Sequence, residues 1–126
     1  MDTPERRQVR DLVYATFASE GRAPSPEEVA RKTHTTRDQA QDALHALADA
    51  HALVPAADGD AIRMAHPFSA APMGFVVTPH DGHDDRRWWG GCAWDSFGIS
   101  AALHIDVRID PACPHCGAPL SYRVGP

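Results

Sequence analysis

Ser25-Pro26-Glu27-Glu28-Val29-Ala30-Arg31-Lys32, followed after Thr33-His34-Thr35 by Thr36-Arg37-Asp38-Gln39, reads as two helix starts in close succession. Ser25 is an N-cap residue, Pro26 occupies the first helical position, and Glu28 stands three residues after the cap. A short helix to about Lys32 follows from that signal. Thr36 with Gln39 repeats it and predicts a longer helix to about His51, whose apolar face is Ala40, Ala43, Leu44, Leu47 and Ala50. So few residues separate the two that they fit a helix-turn-helix. Upstream, Val9, Leu12, Val13 and Phe17 recur at helical spacing between Pro4 and Ala18, and Gly21 ends the run. Downstream, Leu53-Val54, an Asp58-Gly59 turn and Ala61-Ile62-Arg63-Met64 read as a small hairpin.

Three helices followed by a hairpin is the order of a winged helix, predicted here as a unit over residues 1–67. A groove-reading third helix needs cations facing phosphates and bases, whereas this one sets Arg37 against Asp38, Asp42 and Asp49. A scaffold role is the expectation. The whole chain agrees: Lys plus Arg is 12 against Asp plus Glu at 17, so no overall charge draws it to nucleic acid or an anionic membrane. At 126 residues, 43% hydrophobic and 23% charged, it has the composition of a globular domain, which excludes wholesale disorder and a fibrous repeat. No apolar run approaches the roughly 20 residues of a membrane span, and no signal-peptide core is visible, so a soluble cytoplasmic protein is expected.

Residues 68–126 read as strands around one short helix. Gly74–Thr78 and Arg86–Trp89 are expected to pair across the polar turn His80–Asp85, and Ile105–Ile109 and Leu120–Val124 each alternate as half-buried strands. Between them Trp94, Phe97, Ile99 and Leu103 suit a buried helical segment. The expected fold class is therefore α+β: a three-helix winged-helix-like unit, then a small antiparallel sheet with one short helix.

All three cysteines lie in this second part. An odd count without a secretory signal argues against a disulfide framework and for thiolate chemistry or metal ligation. In Gly90-Gly91-Cys92-Ala93-Trp94-Asp95, a helix starting here puts Cys92 at its N-terminus, where free N–H groups favour a thiolate, and Asp95 one turn later on the same side. The pair reads either as a soft nucleophile beside a proton-relaying carboxylate, or as a small buried cysteine near a capping aspartate. Cys113-Pro114-His115-Cys116-Gly117 is a knuckle that aims two sulfurs at one point; a structural zinc normally takes four ligands, so Cys92 and a histidine such as His66, His80, His83, His104 or His115, or a second subunit, would have to complete it. A redox dithiol and a plain turn are the other readings. The His80–Asp85 cluster reads as a solvated turn. Trp88, Trp89 and Trp94 either fill the core or wall a dry pocket beside the cysteine.

Met64-Ala65-His66-Pro67-Phe68-Ser69, the Cys92-Ala93-Trp94-Asp95 motif, the Cys113–Pro119 turn and the winged-helix arrangement together resemble the alkylmercury lyases, or organomercurial lyases. The resemblance implies protonolysis of a carbon–mercury bond, with Cys92 as the mercury-binding thiolate and Asp95 relaying the proton to carbon. It implies a structural role for Cys113, gives Cys116 no counterpart, and makes the winged helix a unit packed against the catalytic part. It also implies a second catalytic cysteine further along, which these 126 residues do not contain; Cys113, Cys116 or an external low-molecular-weight thiol would have to replace it. The expected partner is a small organomercurial or a thiophilic metal ion, with no required cofactor and with zinc or mercury as the ions that Cys92, Cys113 and Cys116 would bind. Two other readings stay open on the residues: a metal-responsive winged-helix DNA-binding regulator, and a zinc-stabilised module without catalysis.

Overall fold

The structure, a computed structural model, describes residues 4–57, 61–113 and 115–126. Three helices come first: α1 (Pro4–Glu20), α2 (Pro26–Thr33) and α3 (Arg37–Asp49). The predicted caps are present. Ser25 Oγ accepts from Glu28 N at 3.1 Å, and Thr36 exchanges both bonds of a capping box with Gln39. These bonds satisfy first-turn N–H groups that would otherwise have no partner. Val9, Val13 and Phe17 from α1, Val29 and Ala30 from α2, and Ala40, Leu44 and Leu47 from α3 then close a shared apolar centre.

The remaining elements are β1 (Val54–Pro55), β2 (Ile62–Ala65), β3 (Phe68–Ser69), β4 (Phe75–Pro79), β5 (Trp88–Gly90), α4 (Ala93–Leu103), β6 (Val107–Asp110) and β7 (Tyr122–Val124). All the strands join one antiparallel sheet in the order β1-β2-β3-β5-β4-β6-β7. The class is α+β with four helices and seven strands among the described residues. The expected Asp58-Gly59 turn lies outside them. β3, unpredicted because two residues show no alternation, is the link that matters for the architecture. It pairs with β2 on one side and β5 on the other, so the hairpin after α3 and the later strands form a continuous sheet through residues 66–67.

Trp88 and Phe17 tie the helices to this sheet. Trp88 is fully buried, and its indole Nε1 donates to Phe17 O at 2.9 Å and to Ala18 O at 3.2 Å, at the last turn of α1. Phe17 stacks on Phe68 of β3 with ring centres 5.5 Å apart. The same end of α1 turns at Gly21 with φ +70°, so close to the Arg87 carbonyl that a side chain there would collide with it. The three tryptophans thus do not act together. Trp88 fills the core, Trp89 is half-buried, and Trp94 is 80% exposed on the outer side of α4.

On the surface, Arg22 donates through both terminal nitrogens to Glu28 at 2.9 Å, with Lys32 at 3.6 Å. The Arg22 bonds hold the Glu28 carboxyl down to about 2 from an ordinary 4.5. A depressed folded-state value means stability that is present above 4.5 and lost as pH falls toward 2. The stability gap between the wild type and Glu28→Gln is therefore expected to narrow in denaturant titrations as pH is lowered through that window. A gap that stays constant would show that the pair contributes nothing.

Candidate functional site

Three segments build the site. β5 ends at Gly90, pressed against Ser96 so closely that a side chain at Gly90 would collide with its hydroxyl. Glycine is required because the first turn of α4 lies directly on the end of the strand. Cys92 is the N-cap of α4 in extended backbone (φ −159°, ψ −178°), and its carbonyl receives both Ser96 N at 3.0 Å and Ser96 Oγ at 2.8 Å. No side chain caps the helix, and Cys92 is exposed. The sulfur-bearing residue therefore stands at the positive end of α4 and open to solvent.

Asp95 lies in the first turn of α4, as the spacing predicts. Its side chain is only 17% exposed. The space beside it is taken by Gly91: a Cβ there would meet Asp95 Oδ2 at 2.8 Å and collide with Met64 Cε. So the paired glycines let β2, the strand end and the helix start converge. The link between β2 and β3 supplies the third wall. His66 Nδ1 is 3.6 Å from Asp95 Oδ2, and Pro67 rests where a side chain at Gly98 would stand. In the sequence His66 stands within the Met64–Ser69 segment and among the histidines that could complete a metal knuckle, not as a partner of Asp95. Nothing in its local spacing announced a partner nearly thirty residues away. Trp94 and Phe97, 80% and 43% exposed, leave an open aromatic surface on α4 beside Cys92.

Cys113 and Cys116 form a separate turn between β6 and β7. Cys113 N donates to Ala118 O at 2.7 Å, Gly117 N to Cys113 O at 2.8 Å, and Ala112 bridges to Pro119. Gly117 takes φ +73°, the left-handed value that the turn requires. The Cys113 sulfur accepts from the backbone N–H groups of Cys116 and His115 and from the Cys116 thiol, and these bonds hold its thiol below the usual value. Pro114 lies outside the described residues.

The register relates the two sulfur centres. Val76 of β4 is flanked by Trp89 and Asp110, and each cysteine leaves the sheet three residues beyond its flank, at Cys92 and Cys113. They emerge from the same end of the sheet with β4 between, about 10 Å apart at the strands. Among the described residues, no three of His, Cys, Asp or Glu converge as they would around a metal ion. The structure places Cys92 at the N-cap of α4 with Asp95 in its first turn, and Cys116 beside Cys113, but among the described residues it does not gather the three cysteines, or a cysteine pair with a histidine, into one ligand set. The His80–Asp85 segment is a surface turn in which Asp81 Oδ1 accepts from His83 N and Asp84 pairs with Arg86. No helix of the described residues is long and apolar enough to cross a membrane.

The family model described as MerB, alkylmercury lyase, matches residues 68–126. No curated protein matches the chain. Among solved structures, the crystal structure of the mercury-bound form of MerB2 is similar in fold, with a TM-score of 0.68 at 22% identity. The match covers 98% of this chain and 57% of that one, so the chain spans little more than half of its neighbour's length. The matched stretch, residues 68–126, carries Cys92, Asp95, Cys113 and Cys116, and in it the chain is similar to the alkylmercury lyase family.

Proposed function

We propose that the chain is an organomercurial-lyase-like protein, in which Cys92 takes the mercury of a small organomercurial and Asp95 delivers a proton to the carbon. One observation carries the reading: an exposed cysteine at an uncapped helix N-terminus with a carboxylate one turn on, inside the family-matched stretch. The Cys92 sulfur gives a lone pair to mercury and displaces a weaker ligand, and its proton passes to Asp95. The carbon–mercury bond then breaks, its electron pair takes the proton from the Asp95 carboxyl, and R–H leaves. Mercury keeps its oxidation state throughout and stays on sulfur. Soft mercury favours a second thiolate, which an external low-molecular-weight thiol supplies at the solvent-open Cys92. His66, beside Asp95, orients the carboxylate.

Residues 1–67 serve in this reading as a winged-helix scaffold, and residues 68–126 as the chemical unit. Support comes from the α2–α3 pair, the β1–β2 hairpin and the Trp88–Phe17 clamp that presses α1 onto the sheet. The exposed Asp38, Asp42 and Asp49 of α3, and an Arg37 already bonded to Glu27 at 2.9 Å, suit a scaffold better than a phosphate-facing helix.

The test is to incubate the protein with an arylmercurial and excess small thiol and to follow release of the free arene. Wild type is expected to exceed the buffer rate. Equal rates for wild type and Cys92→Ala would remove the enzymatic reading.

A further inference from the structure

We propose that Cys113 and Cys116 form a second soft-cation site, one that takes a single Hg(II) as two thiolates on the β6–β7 turn, independently of Cys92 and Asp95. The turn is built around the sulfurs. Two backbone N–H groups, from His115 and Cys116, and the Cys116 thiol already converge on the Cys113 sulfur. The backbone behind them is closed by Cys113 N to Ala118 O, Gly117 N to Cys113 O and the Ala112–Pro119 bridge. N–H groups aimed at a sulfur hold it in one orientation, as the outer hydrogen bonds of a metal ligand do. Cys116 is exposed and Cys113 half-exposed, so an ion reaches the pair without opening the fold.

The number of donors selects the ion. Zinc in a structural site takes four ligands, and among the described residues no third His, Cys, Asp or Glu joins the pair. Two thiolates and nothing else suit a soft cation that is satisfied at low coordination, for which Hg(II) is the probe. Binding is a ligand exchange. Each S–H gives its proton to the buffer, each sulfur gives a lone pair to Hg(II), and no electron changes hands. The site lies at the same sheet end as Cys92, one strand removed, and does not require that Cys92 cleave anything.

The experiment uses the full chain carrying Cys92→Ala, reduced and kept without oxygen, titrated with mercuric chloride in excess glutathione. One Hg(II) per chain is expected, with a sulfur-to-mercury charge-transfer absorption and shifts of the His115, Cys116 and Gly117 amides in NMR. Adding the exposed-site change Cys116→Ser is expected to weaken retention against glutathione by about 100-fold, because the second sulfur is then lost from its high effective concentration. An unchanged circular dichroism spectrum and thermal transition in that variant would show that the loss is not unfolding. Equal retention with and without Cys116 overturns the proposal, and so does half an equivalent of Hg(II) with dimer formation, which would mean four sulfurs from two chains. Arene release by the protein with its native Cys92 is scored separately, so failure of the cleavage reading is distinguishable from failure of this one.

Discussion

Asp95→Asn protein is expected to capture an arylmercurial on Cys92 with near wild-type stoichiometry, and to release arene about 100- to 10,000-fold more slowly in a single turnover. Asparagine keeps the shape that fills the space beside Gly91 and faces His66, but it has no acidic proton to give the departing carbon. Capture is read by the mass of the Cys92 adduct, cleavage by the arene. Cys92→Ala is expected to abolish the adduct at that residue and the arene together. The two variants therefore separate the sulfur's task from the carboxylate's. Wild-type arene release by Asp95→Asn would show that solvent or the added thiol protonates the carbon, and would leave Asp95 a packing residue of the α4 start.

Trp88→Ala carries the largest expected loss of stability. It removes a fully buried indole and its two bonds to the Phe17 and Ala18 carbonyls, at the seam between α1 and the sheet. Such truncations cost about 3–5 kcal/mol, which lowers Tm by roughly 10–20 °C in a domain of this size. Trp88→Phe keeps most of the volume and loses the N–H, so a smaller loss of about 1–2 kcal/mol is expected. Because Trp88 begins β5, the strand that leads through Gly90 and Gly91 to Cys92 at the start of α4, any folded fraction of Trp88→Ala is also expected to lose arene release. Trp94→Ala, at an 80% exposed position, is the contrast: its thermal transition should move little. A Trp88→Ala protein as stable as the wild type would mean that the helices do not depend on this clamp.

Much of the fold was legible because its signals are local. Ser25 and Thr36 announce helix starts by which residue follows three places later, and α2 and α3 begin there. Gly90-Gly91-Cys92 announced a strand ending and a helix beginning, and Cys92 is the N-cap of α4 with Asp95 in its first turn. β3 was not legible, since a two-residue strand has no period and exists only because β2 and β5 flank it. Nor was the fate of the tryptophans. Three identical side chains within seven residues end up buried, half-buried and exposed, according to which surface each strand or helix position meets.

The sequence by itself determined the helix caps, the strand-turn-helix that presents Cys92 and Asp95 on one turn, and the Cys113–Gly117 knuckle, because each is specified within a few residues of backbone geometry. Tertiary structure alone decided that His66 meets Asp95, that Trp88 rather than Trp94 joins the two halves, and that Cys92 stands apart from Cys113 and Cys116 with β4 between them. The reason is physical: strand order and register set distances between residues remote in the chain. Side-chain chemistry that names a metal ligand carries no information about which strand will lie beside it.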